Sequence, residues 1–173
     1  RVDTLPVHEL SDEYVASIGN TTGLHPDFGA EWQGEPIGIP YVVVPGSQTK
    51  FEVDFEYEDE SDRELYPIPP NPPIEGGSDR HILMVDKDNC KLYELYAAYY
   101  DPSDGWQAGS GAIFDLRSNL LRPDGWTSAD AAGLPILPGL VRYDEGAAGV
   151  ILYAIRVTAF STHDDYVGPA LHE

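Results

Sequence analysis

The sequence has little cysteine, few basic residues and no long hydrophobic segment, and each shortage excludes a class of protein. Cys90 is the only cysteine among 173 residues, which excludes a disulfide within the chain. Ten Lys and Arg against thirty Asp and Glu give a formal net charge of -20. This charge repels nucleic-acid phosphates and anionic lipid headgroups. The apolar run at residues 150–154, which Ile155 extends by one residue, is too short to cross a bilayer. We therefore expect a soluble acidic domain with neither nucleic acid nor membrane as a partner.

Glycine and proline are abundant, and their spacing indicates an all-β fold. The 17 Gly and 15 Pro interrupt the chain as many short strands joined by turns require. Helix signals occur at residues 11–18, followed by Gly19, and at residues 128–132, followed by Gly133. The sequence predicts a β-sandwich or jelly roll with long Gly/Pro-rich loops and one or two short helices.

Several segments have the residue pattern of strands. Residues 50–57 alternate aromatic or apolar side chains with carboxylates, which predicts one apolar and one acidic face. Residues 91–100 fit either a helical stripe or the second strand of a hairpin with residues 81–86, and the short link favours the hairpin. The nearly continuous apolar run 149–160 predicts a central strand covered on both faces. Further strands are expected at residues 37–44, 111–116 and 140–143, with Pro40 placing the first at an edge or a bulge.

The chain is expected to form a single domain over residues 1–173. Residues 1–36 form an N-terminal arm that contains the short helix. Residues 66–77 form a proline-rich strap, because proline fixes φ and favours extended chain outside a sheet centre.

Two long segments stand out, residues 79–96 and residues 109–143, and the second contains the strings GAIFDLRSN and RPDGWTSADAAGLPILPGL. These segments resemble a family of uncharacterised secreted proteins encoded in bacterial genomes, and the resemblance extends over most of the chain. It implies a secreted protein and supplies no catalytic residue. Similar proteins continue past a histidine placed like His172, so the resemblance also implies a C-terminal continuation. The chain departs from the family at Tyr153, where its relatives carry histidine.

Asp115 and Asp130 are the candidate catalytic residues. Glycoside hydrolysis needs one carboxyl group that protonates the leaving oxygen and a second that attacks or activates water. Asp115 ends an apolar strand beside Arg117, and Asp130 lies in the Gly/Pro-rich loop 121–138. The alternative is structural: Asp115 pairs with Arg117 or caps a turn, and Asp130 lies in the first turn of a short helix.

Trp106 and Trp126 are the candidate sugar-binding residues, together with Arg117 and Arg122. Each of the two tryptophans follows an Asp-Gly pair, which forms turns and projects the next side chain from a loop. Flat aromatic rings stack on sugar rings, and Trp32 is a third such residue. Anchoring of the core is the alternative role of these indoles.

Asp86, Asp88 and Asn89 are candidate ligands for Ca²⁺, which prefers oxygen. An ordinary hairpin turn is the alternative, and the acidic run 58–62 is either a second such cluster or a solvated face. His81, His163 and His172, with Asp164 and Asp165, lack the spacing of a single-element transition-metal platform. Asn20 begins an Asn-Thr-Thr glycosylation sequon.

These features lead to two alternative functions. The first is a secreted domain that binds polysaccharide or surface glycan, with glycoside cleavage as an extension, so that enzymatic activity is left open. The second is a structural or self-assembling extracellular protein without catalysis, in which copies of the chain form a homo-oligomer.

Overall fold

The computed structural model describes residues 4–21, 31, 34, 38–158 and 165–172. This part of the chain is β-rich, with two mixed sheets and two short α-helices. The helices are α1 (Ser11–Ile18) and α2 (Tyr143–Ala148). The strands are β1 (Tyr41–Val44), β2 (Val53–Phe55), β3 (Ile82–Asp86), β4 (Lys91–Tyr96), β5 (Tyr99–Asp101), β6 (Gly105–Ala108) and β7 (Ser110–Asp115).

The larger sheet has the strand order β1-β3-β4-β7. Strands β3 and β4 form an antiparallel hairpin in which Ile82 pairs with Leu95 and Asp86 with Lys91, so the hairpin prediction is confirmed. Strand β7 pairs antiparallel with β4, and β1 runs parallel to β3 at the sheet edge. The edge position of β1 agrees with the proline at position 40, because proline has no backbone N–H group to donate to a neighbouring strand.

The smaller sheet has the order β2-β6-β5, with β2 parallel to β6 and β5 antiparallel to β6. Strand β2 is shorter than the predicted strand 50–57, because Phe51 leaves the sheet to form an isolated bridge with Tyr66. Within β2 the predicted alternation holds: Phe55 is buried and Asp54 is exposed.

One hydrophobic cluster joins the two sheets. Phe55 of the smaller sheet and Met84 and Tyr93 of the larger sheet belong to it. Tyr66, at the start of the proline strap, is fully buried, and its ring meets the rings of Phe55 and Tyr93 edge-on at 5.7 Å each. The start of the strap is therefore anchored in the core shared by the two sheets, and the extended form of the whole segment stays a prediction.

The opposite face of the larger sheet is covered by residues 122–140, which we call the covering loop. Leu83 of β3 packs there against Ala129 and Ile136 of the loop, whereas its neighbour Met84 faces the first cluster. Alternation along the strand thus gives the larger sheet two covered faces.

The C-terminal part of the chain differs from the prediction. Residues 150–158 form no strand, and α2 begins at residue 143, where a strand was expected to end; residues 159 and 160 lie outside the described part. Leu152 and Val157 are 69% and 48% exposed. The prediction of a central strand is wrong because an apolar run becomes a strand only where another strand pairs with it, and none of the described strands does so.

The two predicted helices have different outcomes. Helix α1 spans residues 11–18 and ends at Gly19, as predicted. Residues 128–132 form turns instead of a helix, because the Ser128 hydroxyl accepts a hydrogen bond from the Asp130 N–H at 2.9 Å and donates to the Leu134 carbonyl at 2.6 Å. Among the described residues, no helix has the length and apolar character that a membrane crossing requires.

Gly111→Ala tests the packing between strap and sheets. A Cβ atom at position 111 would lie 2.5 Å from the Tyr66 hydroxyl and 2.6 Å from the Phe55 ring. We expect a loss of about 1–3 kcal/mol in the free energy of unfolding, measured by urea denaturation. Gly146→Ala in α2 is the matched control, because its Cβ meets nothing within 4 Å. The control should gain up to about 1 kcal/mol from helix propensity. Equal stability of the two variants would contradict this packing.

Candidate functional site

A cavity of about 460 Å³ lies between the covering loop and the larger sheet. We call it the loop cavity. It combines aromatic rings, hydroxyl groups and charged side chains of both signs. Its lining residues are Tyr57, Glu60, Asp79, His81, Tyr96, Ser110, Thr127, Ser128, Ala129, Asp130, Ala131, Arg156 and His172.

His81 connects the sheet to the covering loop. Its Nε2 donates to the Ala129 carbonyl at 3.0 Å, and its Nδ1 lies 2.5 Å from the Glu75 carboxylate. Because a carbonyl and a carboxylate only accept, the ring carries a proton on both nitrogens when Glu75 is ionised. Burial opposes that charge, but the hydrogen bond and negative charge of Glu75 outweigh burial and raise the pKa of His81.

Glu94 makes the second connection, from the centre of β4. Its side chain is fully buried, its Oε2 accepts from the Ile136 N–H at 2.9 Å and its Oε1 accepts from the Leu137 N–H at 3.0 Å. Burial raises the pKa of Glu94 to about 7, although the two backbone donors and the positive charge of His81 act in the opposite direction. Both oxygens of this carboxyl group are thus used to hold the loop.

Arg122 and Glu60 hold the start of the covering loop. Arg122 is only 8% exposed; it forms an ion pair with Asp62, its Nη2 donates to the Glu60 carbonyl at 2.6 Å, and its Nε donates to the Thr127 carbonyl at 2.9 Å. Thr127 in turn donates its hydroxyl and its N–H to the Glu60 carboxylate at 2.7 and 3.1 Å, which lowers the pKa of Glu60. These contacts give Arg122 a structural role in anchoring the loop.

Asp130, a predicted catalytic residue, lies in the loop cavity. The Nε and Nη2 of Arg156 both donate to its Oδ1 at 3.1 Å. The Arg156 N–H also donates to the Gly139 carbonyl at 2.9 Å, so residue 156 is bound to the covering loop by backbone and side chain. The carboxylate of Asp130 therefore has a fixed position at the cavity wall.

Asp115, the predicted partner of Asp130, lines a different cavity. This second cavity has a volume of about 830 Å³ and a largely apolar lining that includes Phe114 and Leu121. The Arg117 side chain donates to both Asp115 oxygens at 3.0 Å, and its N–H donates at 2.9 Å. These hydrogen bonds lower the pKa of Asp115 to about 2. Neither cavity contains both aspartates, and Asp115 and Arg117 adopt the structural pairing that was the alternative.

The aromatic rings of the loop cavity are tyrosines, not the predicted tryptophans. Trp106 is partly buried, packs against the core and lies 5.2 Å from the Tyr100 ring. Trp126 is partly buried and lies 5.3 Å from the Arg122 guanidinium; neither indole lines the loop cavity, and Trp32 lies outside the described residues. Sequence reasoning missed Tyr57 and Tyr96 as site residues. Tyr96 ends β4, whereas Tyr57 lies in a turn just after β2, and their only signal was their place in the predicted strands 50–57 and 91–100.

The predicted calcium ligands close the β3–β4 turn. The Asp86 carboxylate accepts from the Asp88 N–H and from the N–H and side-chain amide of Asn89, at 3.2, 3.0 and 2.8 Å. The Asp88 carboxylate accepts from the Gly46 N–H at 2.8 Å. No group of three or more His, Cys, Asp or Glu that could hold a metal occurs in the described ranges. Calcium binding stays a prediction.

The remaining predicted features are the glycosylation sequon and the acidic and histidine residues at positions 163–165. Asn20 of the sequon is exposed just after α1, and its glycosylation stays a prediction. His163 and Asp164 lie outside the described residues, whereas Asp165 is described and exposed.

Comparison with known proteins returns no match to a family model, a curated protein or a solved structure. The resemblance to secreted bacterial proteins therefore stays a prediction.

Arg122→Met tests whether this arginine anchors the loop. The substitution removes the ion-pair partner of Asp62 and the side-chain donor of the Thr127 and Glu60 carbonyls, so we expect a loss of roughly 2–4 kcal/mol in the free energy of unfolding. Arg117→Met is the matched control, because that guanidinium is exposed and its loss should not change stability measurably. Two equal denaturation midpoints would argue against the anchoring role.

Proposed function

We propose that the protein is a secreted domain of sandwich or jelly-roll architecture that binds polysaccharide or surface glycan in the loop cavity. The combination of two tyrosine rings with fixed carboxylates and an arginine in one cavity is the observation that carries the proposal. Polysaccharides require both kinds of group, because their rings present apolar C–H faces and a rim of hydroxyls.

The aromatic part of the proposal rests on Tyr57 and Tyr96. Tyr57 is 50% exposed, so its ring offers surface to a ligand, and Tyr96 is partly buried against His81 at a centroid distance of 5.7 Å. A sugar face stacked on Tyr57 would remove apolar surface from water on both partners.

The polar part rests on groups that other residues hold in place. Asp130 is held by Arg156, and Glu60 is held by Thr127. Because these side chains are already ordered, a ligand that hydrogen-bonds to them loses less conformational entropy than it would with mobile side chains.

Glycoside cleavage remains an extension of the binding proposal. Glu60 and Asp130 line the same cavity, so they replace the pair Asp115 and Asp130 as the two candidate carboxyl groups. The lowered pKa of Glu60 suits a base or nucleophile.

The architecture and the location outside the cell are parts of the same proposal. Side chains from both sheets share one core, which is the packing that a sandwich requires. The acidic composition and the family resemblance support secretion.

Tyr57→Ala tests glycan binding. We expect a set of soluble polysaccharides to include at least one that retards the wild-type protein in affinity electrophoresis. The variant should bind that polysaccharide about fivefold more weakly, equivalent to about 1 kcal/mol for one stacking contact. Tyr143→Ala is the matched control, because Tyr143 is 88% exposed on α2 and does not line the cavity. Retention of full affinity by Tyr57→Ala, or retardation by none of the polysaccharides, would count against this function.

Self-assembly is the second candidate function, and the apolar segment 150–157 favours it. Val150, Leu152, Ile155 and Val157 are 52%, 69%, 39% and 48% exposed. Exposed apolar residues in one stretch are typical of surfaces that contact another protein, and a second copy of the chain is the partner that this alternative requires.

Light scattering tests the assembly alternative. We expect a mass that rises with concentration, and Leu152→Ser should shift it towards the monomer because the substitution removes apolar surface from the contact. Leu120→Ser, at a leucine that is 85% exposed on another segment, is the control. A monomer of the wild-type protein at every concentration would eliminate assembly as the function.

A further inference from the structure

Two buried titratable side chains hold the covering loop against the larger sheet. His81, just before β3, binds the Ala129 carbonyl, and Glu94 of β4 binds the N–H groups of Ile136 and Leu137. The two side chains thus hold both halves of the loop. His81 is 3% exposed and Glu94 is 0% exposed, so water does not replace these contacts while the loop is closed.

The two residues depend on each other electrostatically. The positive charge of His81 lowers the cost of an ionised Glu94, whereas the negative charge of Asp130 raises it. Around His81 the other acidic groups are Glu75, which is hydrogen-bonded to it, and Asp79. The Tyr96 ring packs beside the imidazole, Arg156 neutralises Asp130, and His172 is the remaining basic residue of the cavity lining.

Loss of one proton from His81 would change this balance. The ring would no longer donate to both Glu75 and Ala129, and Glu94 would lose its positive neighbour. A buried carboxylate whose opposite charge has been removed is strongly destabilising.

We propose that the covering loop is a proton-controlled wall of the cavity, held closed while His81 is an imidazolium and released when rising pH leaves Glu94 an unbalanced buried anion. The proposal concerns the loop alone, and it stands or falls independently of which ligand enters the cavity.

The directions of the two pKa shifts agree with this mechanism. The pKa of Glu94 is 4.5 in an ordinary environment and about 7 in the closed structure. The free energy by which protonated Glu94 stabilises the closed loop is therefore complete below pH 4.5 and is lost as pH rises through about 7. The raised pKa of His81 acts in the same sense, because its contribution disappears as pH rises through that pKa. Glu60 and Asp86, with lowered pKa values, lose their contributions only in acid.

Amide hydrogen exchange at Ile136 and Leu137 measures loop closure directly, because these N–H groups bind Glu94. Protection factors, corrected for the intrinsic pH dependence of exchange, are compared between pH 5 and pH 9 by NMR. We expect the protection of both amides to fall at least about tenfold over this range. Amides of the β3–β4 hairpin should keep their protection and serve as the internal reference.

Three variants separate the mechanism from general unfolding. Glu94→Gln carries no charge at any pH and should reduce the fall in protection, whereas His81→Gln should give weak protection already at pH 5. Asp115→Asn alters a carboxyl outside the covering loop and should retain the wild-type profile. Constant protection at Ile136 and Leu137 from pH 5 to 9, or an unchanged fall in Glu94→Gln, would overturn the proposal.

The ring nitrogens of His81 give a second measurement in the wild-type protein, which covers the case in which the variants fail to fold. Nitrogen-15 shifts should show an imidazolium at pH 6 that loses its proton above the ordinary histidine range. A neutral ring at pH 6 would overturn the proposal without any variant.

Discussion

The arrangement of the loop cavity depends on the hydrogen bonds between a buried carboxyl group and two backbone N–H groups. Glu94 lies on the same face of the larger sheet as Leu83, which it opposes in the β3–β4 ladder. A loop without strands of its own can cover that face only if its buried N–H groups find acceptors. Glu94 supplies both acceptors, while Leu83 and Ile136 supply the apolar contact. The polar and apolar contacts therefore stabilise the same loop position.

Two of the few basic residues of this acidic chain pair with carboxylates in or beside the covering loop. Arg122 neutralises Asp62, and Arg156 neutralises Asp130. Other arginines form exposed pairs, such as Arg63 with Glu58 and Arg117 with Asp115, which contribute little to stability. The site is therefore organised by a small number of ion pairs, and the general negative charge has little part in it.

Sequence reasoning succeeded where the local pattern determines the structure. The β3–β4 hairpin follows from alternation and a short polar link, and α1 follows from a helix pattern that ends at glycine. It failed over the described part of the apolar run, residues 150–158, because an apolar run does not specify which strand would pair with it. The helix predicted at residues 128–132 is absent for a different reason: the Ser128 hydroxyl binds nearby backbone groups and favours a turn.

The candidate site was predictable in part. The loop that contains Asp130 was singled out correctly because its Gly/Pro-rich apolar sequence is costly to expose, and it does cover the sheet. Separation along the sequence gives no distance, so the sequence did not show that Asp115 and Asp130 line different cavities. Glu94 gave almost no signal, since one glutamate in KLYELY resembles a solvent-facing position of a strand. Its burial depends on a loop about forty residues further along the chain, which no local pattern contains.

Ligand binding and protonation must be coupled if the cavity functions as proposed. Residues 127–131 line the loop cavity only while the covering loop is in place, and His81 binds the loop at residue 129. A ligand that contacts these residues stabilises the closed loop and, by linkage, raises the affinity of His81 for its second proton. Because this coupling is reciprocal, the affinity for the ligand falls as His81 loses its proton. On this proposal, the protonation of Glu94 and His81 restricts binding to mildly acidic surroundings.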